Sequence, residues 1–175
     1  MEHEIIISPV YNDYCRQIQE LILPIQQIEF NVPVTLKGQP DLLDIEANYH
    51  KPGGGFWAAL DKNKDEGNQL AGTIGLINAG QHIGVIRKMF VRKEYRGKQS
   101  GIGQNLLDTL ISYCNAHEIT DLYLGTVEIL KAAHRFYEKN GFREISPEEL
   151  PAVFPRMMAD NKFYHLTLKT VKPTP

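Results

Sequence analysis

The order of apolar runs predicts an α/β or α+β chain built on a central mixed sheet. Three observations carry this. Short apolar runs at 56–60, 70–77 and 82–91 lie between turn signals, as strands do. Ile102, Leu106, Leu107, Leu110, Ile111 and Cys114 recur at three- and four-residue steps, the period of a helix with one buried face. After that helix the pattern runs strand, helix, strand to the end of the chain.

Taken in order, the first strand is expected at 4–8, followed by a helix from about Asp13, with Asp13 as N-cap and Ile18, Leu21, Ile22 and Ile25 inward. Pro24 should kink or end this helix, leaving 25–30 as a continuation. Residues 31–55, rich in Pro, Gly and Asp, read as irregular. The three strands follow, separated by turns at 61–68 and 78–81. In the third, the apolar pattern slips phase between Val85 and Ile86, which fits a bulge and equally a strand buried on both faces. A strand at 122–126 then leads to a helix with Ile129, Ala132, Ala133, Phe136 and Tyr137 on one side, stopped by Asn140-Gly141. A closing strand is expected at 163–170, where Tyr164, Leu166 and Leu168 alternate. There is no internal repeat and no low-complexity segment.

A length of 175 residues suits one domain, 1–175. The formal net charge of -2 argues against a general nucleic-acid binder. Cys15 and Cys114 lie far apart without metal spacing, so reduced thiols are expected. His3, His50, His82, His117, His134 and His165 form no HExxH or Cys/His pattern, so no metal site is expected. The apolar run near Met1 is too short for a signal peptide, and no segment approaches the ~20 apolar residues of a membrane span. The expectation is a soluble cytoplasmic protein with neither membrane nor nucleic-acid partner.

The most informative junction is 91–106, a basic, glycine-bearing turn from strand to helix. Gly101 and Gly103 fall at the helix N-terminus, where backbone N–H groups lack intrahelical partners and the macrodipole is positive. Arg92, Lys93, Arg96 and Lys98 add positive charge, and a phosphate or pyrophosphate is the matching ligand. A Gly-x-Gly by itself also marks an ordinary tight turn with solvated basic residues. A P-loop would need Ser or Thr where Gln99 follows Gly97-Lys98, and a dinucleotide fingerprint would need glycine at Leu106. Neither fits.

A second segment decides between these readings. Ala133-His-Arg-Phe-Tyr137-Glu-Lys-Asn-Gly-Phe142, together with Val91, Arg96-Gly97 and Gly101-Ile102-Gly103, resembles the GNAT family of N-acetyltransferases over 56–144. Two departures stand out. Arg96 fits the family turn only with two extra residues, and Leu130 stands where an Asn often begins the later helix and touches the cofactor.

The resemblance implies a single GNAT-like domain with a mostly antiparallel twisted sheet flanked by helices, and acetyl-CoA as co-substrate. It would place pyrophosphate around Arg96, Gly97, Lys98, Gln99, Ser100, Gly101, Ile102, Gly103 and Gln104, and pantetheine along Met89, Phe90 and Val91. A backbone N–H near Met89 or Phe90 would polarise the acetyl carbonyl, and Tyr137 would be the general acid for the thiolate. Without the resemblance, Tyr137 reads first as a core aromatic on the Ala133/Phe136 face. No motif fixes the base; Glu128 and Glu29 are candidates, and His134 shares a helix with Tyr137. Acceptor selection would fall to 26–30 and 39–44, where Gln27, Glu29, Asp41 and Asp44 suit a polar or cationic amine. The implied activity is acetyl transfer to the amine of a small molecule or peptide, by a monomer or homodimer. The alternative is a non-catalytic acyl-CoA-binding sensor or docking module.

Overall fold

The computed structural model describes residues 4–63, 69–97 and 100–168. Its strands are β1 (Ile5–Pro9), β2 (Gly55–Asp61), β3 (Gln69–Gly80), β4 (Ile83–Val91), β5 (Asp121–Thr126), β6 (Arg143–Ile145) and β7 (Lys162–Thr167), and its helices are α1 (Cys15–Pro24), α2 (Ile102–Ala116) and α3 (Lys131–Lys139). The strands form a seven-stranded sheet in the order β1-β2-β3-β4-β5-β7-β6. Neighbours are antiparallel except β4 and β5, which run parallel, as a chain crossing over through α2 requires. The mixed sheet with flanking helices expected from the sequence is therefore present.

Both faces of the sheet are covered, which explains why β2 is buried at every position. Trp57 and Ala59 point to the face where Leu106, Leu107, Leu110 and Cys114 of α2 pack, joined by Tyr137 of α3. Phe56, Ala58 and Leu60 point to the other face, against Ile18, Leu21 and Ile22 of α1. Each fully buried Leu or Ile stabilises the fold by about 1.5–3 kcal/mol. A third cluster joins Val85, Ile145, Phe154 and Phe163.

Several boundaries differ from the sequence reading. A 3-10 turn, Asn12–Tyr14, precedes α1, so Asp13 lies inside that turn and Tyr14 takes the N-cap position without a side-chain cap. Pro24, which has no N–H, is the last α-helical residue; the chain continues as a wider π-turn, Ile25–Glu29, with Phe30 N bonded to Ile25 O at 3.1 Å. The stretch expected to be irregular carries a 3-10 turn, Pro40–Leu43, and a second π-turn, Glu46–His50, whose Leu42, Ile45 and Tyr49 are fully buried. β6 was not anticipated, because three residues hold too little pattern to read. In α3 Tyr137 is buried and Ala133 and Phe136 pack partly buried against the core as expected, joined by a buried His134, while Ala132 is exposed and Ile129, 60% exposed, precedes the helix. Of the expected closing strand, 169–170 lie outside the described residues.

β4 does bulge, but not at the phase slip. Val85 and Ile86 are buried on opposite faces, so that slip reports two-sided burial. The extra residue lies between the pairs Thr73–Phe90 and Gly75–Arg87, and Lys88 there has φ +54°. Left-handed backbone at a lysine costs on the order of 1–3 kcal/mol and persists only where surroundings hold it. Here Thr73 Oγ1 donates to Lys88 O at 2.8 Å, and Lys88 Nζ donates to Gln39 Oε1 at 2.5 Å.

Candidate active site

The sheet opens in its middle. β4 and β5 pair from Ile83–Asp121 to Ile86–Leu124 and no further, so the β5-facing edge of β4 beyond Ile86 has no described strand beside it. The opening is a slot of about 140 Å³. Its walls are Lys88, Met89 and Phe90 of β4, Gly125 and Thr126 of β5, Leu130 before α3, and Gln26 and Phe30 from the π-turn. Leu130 is the N-cap of α3 and contributes no side-chain cap. That entrance offers apolar contact where an Asn would have offered an amide.

Beside the slot stands the N-terminus of α2. Gly101 takes the N-cap position with φ +62°, and Gly97 has φ +126°, backbone states that L side chains rarely adopt. No side chain caps the helix, and its first ladder bond is Asn105 N to Gly101 O at 2.9 Å. The N–H groups of Ile102, Gly103 and Gln104 therefore lack a ladder partner within the helix and face an anion-favouring dipole. Ser100 Oγ donates to Tyr95 O at 2.6 Å, fixing the approach to the turn. Lys98 and Gln99, expected to join this cradle, lie outside the described residues. A Cβ at Gly103 would meet Met89 Cε at 3.7 Å, so the cradle adjoins the slot wall.

Tyr137 lines the slot. Its hydroxyl donates a weak hydrogen bond to Met89 Sδ at 3.7 Å, and its ring packs on Phe142 and Tyr164. Burial, then the nearby charge of Asp160, pushes its phenol well above the usual range, so it stays protonated at neutral pH. A protonated hydroxyl with a thioether as partner is available to give its proton to a stronger base.

Asp160 was missed by sequence reasoning, since it sits in the irregular stretch before β7. Its carboxylate lies over β5 so closely that a Cβ at Gly125 would come within 2.5 Å of Oδ2. Only the missing side chain at 125 makes room for it. Burial raises its pKa, against the lowering influence of Arg87 and Lys88, a backbone hydrogen bond from Met157, and Arg156.

The candidate bases fall elsewhere. Glu29 is outside the slot wall, its carboxylate gripped by the Arg96 guanidinium through both nitrogens, with Nη2 to Oε2 at 2.8 Å. The Arg96 hydrogen bond holds its pKa below 4.5, so the pair adds stability that is present above that value and lost as pH falls through the lower folded one. Glu29→Gln should accordingly remove part of the loss of thermal stability seen as pH falls below 4.5. Glu128 is exposed beyond the wall, donating its N–H to Asn161 Oδ1 at 2.8 Å. His134 is 4% exposed with Nε2 facing Val127 O at 2.9 Å, and burial lowers its pKa: a packed, neutral histidine.

The acceptor-region residues divide similarly. Gln27 is spent on Val34 O, Asp41 accepts from Tyr49 Oη at 2.6 Å and faces Lys88, and Asp44 accepts from Asn12 and Ala47 N–H. Instead, Gln26 and Gln39 line the slot, joined by reciprocal amide bonds of 3.0 and 2.9 Å. Arg96 is shared between Glu29 and Val91 O, at 2.7 Å for the latter, and so is not a free cation. Among the described residues no group of His, Cys, Asp or Glu could hold a metal ion, and no helix is long and apolar enough to cross a membrane.

A parallel pair that splits beside an uncapped helix N-terminus sets an open strand edge next to an anion-favouring helix end. Residues 18–142 match the Acetyltransferase (GNAT) family, and the chain belongs to it. An acetyltransferase of that family from Staphylococcus aureus superposes with a TM-score of 0.88 at 41% identity, covering 95% of this chain and 100% of its own. N-acetylaspartate synthetase from Xenopus tropicalis is 33% identical over 114 residues, which are 62% of this chain and 38% of that protein. The chain thus spans under half the length of that relative. An acetyltransferase from Salmonella typhimurium, solved with its cofactor acetyl-CoA, shares the fold with a TM-score of 0.66 at 15% identity, covering 98% of both chains.

Proposed function

We propose that the 175 residues act as a single domain that moves the acetyl group of acetyl-CoA to the amine of a small molecule or peptide, in the cytoplasm. The split between β4 and β5 carries this reading. An extended pantetheine needs an open strand edge, a pyrophosphate needs unpaired N–H groups, and a departing thiolate needs a proton. The β4 edge at Met89 and Phe90 and the Tyr137 hydroxyl line the slot, and the α2 N-terminus adjoins its wall at Met89. A backbone N–H at Met89 or Phe90 would stabilise the charge developing on the acetyl oxygen. Cys15 and Cys114 are both free, which suits a reducing compartment, and burial pushes the Cys114 thiol up to about 12.

Binding and turnover test it separately. A ligand that binds only the folded chain at 100 times its Kd adds about 2.7 kcal/mol of apparent stability, so millimolar acetyl-CoA should raise the Tm. Gly103→Val should shrink that rise, because its methyl groups would reach past the Met89 and Phe136 contacts already at 3.7 and 3.9 Å. An undiminished rise in the variant would move the cofactor elsewhere. Thiol release against a panel of amines then reads activity and acceptor together. Acidic amino acids belong in that panel, since a relative bears the name N-acetylaspartate synthetase and Arg87 lines the slot.

A further inference from the structure

We propose that Asp160 takes the proton from the acceptor amine, an assignment that rests on the transferase reading above. Among the described residues lining the slot, Asp160 is the only carboxylate. The other ionisable groups in that wall are Arg87, Lys88 and Tyr137, of which the first two are cations and the third is the acid. Its position is fixed from both sides. Asp160 N donates to Met157 O at 3.2 Å, and the next residue, Asn161, donates its N–H to Thr126 O at 3.0 Å and accepts from Glu128 N through Oδ1 at 2.8 Å. These bonds dock the segment onto the end of β5, and Gly125 leaves the gap that the carboxylate occupies. The group is thereby held one residue beyond Leu124, where the strands part. A backbone hydrogen bond from Met157 to the carboxylate helps to orient it, and its remaining lone pairs can accept from an incoming ammonium.

The proton balance closes. The acceptor arrives as an ammonium, and the Asp160 carboxylate removes one proton, exposing the nitrogen lone pair. As nitrogen bonds to the thioester carbon and the carbon–sulfur bond breaks, Tyr137 gives its proton to sulfur and regains one from nitrogen. The amide and the free thiol leave, and Asp160 returns its proton to solvent. The groups facing Asp160 are Arg87 and Lys88 on β4, Arg156 on its own segment and Tyr137 on α3. The three cations favour its ionised form, yet burial outweighs them, which narrows the gap to an amine and eases the transfer.

Kinetics on the full chain decide the matter. In the wild type, kcat/KM for the best amine should fall on the acid side as Asp160 takes up a proton. Asp160→Asn should lower kcat/KM by roughly 10²–10⁴-fold at neutral pH and flatten that acid limb, while acetyl-CoA affinity stays within about twofold. Asp160→Ala should lose the rate likewise and regain part of it with added formate, a response that a purely structural aspartate would not give. Wild-type rates in Asp160→Asn, an acid limb that survives it, or an Asp160→Ala enzyme that binds acetyl-CoA but ignores formate would each overturn the assignment. Acetyl-CoA binding without turnover of any amine by the wild type would instead sink the transferase reading, and this role with it.

Discussion

Tyr137→Phe is expected to lower kcat roughly 10²–10⁴-fold, the usual worth of positioned general acid help. The phenylalanine keeps the ring contacts with Phe136, Phe142 and Tyr164 and deletes only the hydroxyl facing Met89. The lost bond is a weak one to sulfur, so the Tm and acetyl-CoA affinity should hardly move. A thiolate can leave unaided, but a phenol kept protonated by burial reduces the charge that must build on sulfur. Steady-state kinetics beside thermal melts would separate the roles. A variant as fast as wild type would leave Tyr137 as packing alone.

The second large effect is on stability. Leu42→Ala should destabilise the chain by about 2–5 kcal/mol, the range for emptying a fully buried leucine site. For a chain of this size that is a fall in Tm of roughly 4–20 °C. Leu42 packs with Ile18, Leu21, Ile22, Ile45 and Tyr49, and its carbonyl accepts from Gln19 Nε2 at 2.8 Å. Denaturant melts would show it. A change under about 1 kcal/mol would mean that the 40–50 segment rides on the sheet instead of closing its face.

That segment marks the limit of what the chain discloses in one dimension. α2 and its glycine turn were legible because a 3.6-residue period and a helix start are local signals. Leu42, Ile45 and Tyr49 follow no such period. They are buried because α1 and β2 come to lie over them, a fact of tertiary packing. The Lys88 bulge was hidden for a related reason: nothing about a lysine advertises left-handed backbone, which its bond to Gln39, 49 residues away, helps to sustain. Glu29 looked available as a base because its partner, Arg96, is 67 residues distant. Asp160 reaches the site when the chain returns to pair β7 with β5, and no periodicity surrounds it. The phosphate-like cradle and Tyr137 were readable from motif spacing; the acid–base partner across the slot was readable only in three dimensions.

The gap between β4 and β5 has a bearing on how this protein keeps from sticking to itself. Unpaired strand edges invite other chains to add on, and proteins ordinarily guard the rims of their sheets for that reason. Here the unguarded edge is interior. It lies between two strands that are already paired on their far sides, hemmed by Gln26, Phe30, Leu130, Ala133 and Met157. A foreign sheet, about 10 Å thick with its side chains, has no flat approach to so narrow a recess, whereas a single unbranched chain can thread it. Recessing the edge thus lets one geometry admit a slender metabolite and exclude a neighbouring protein.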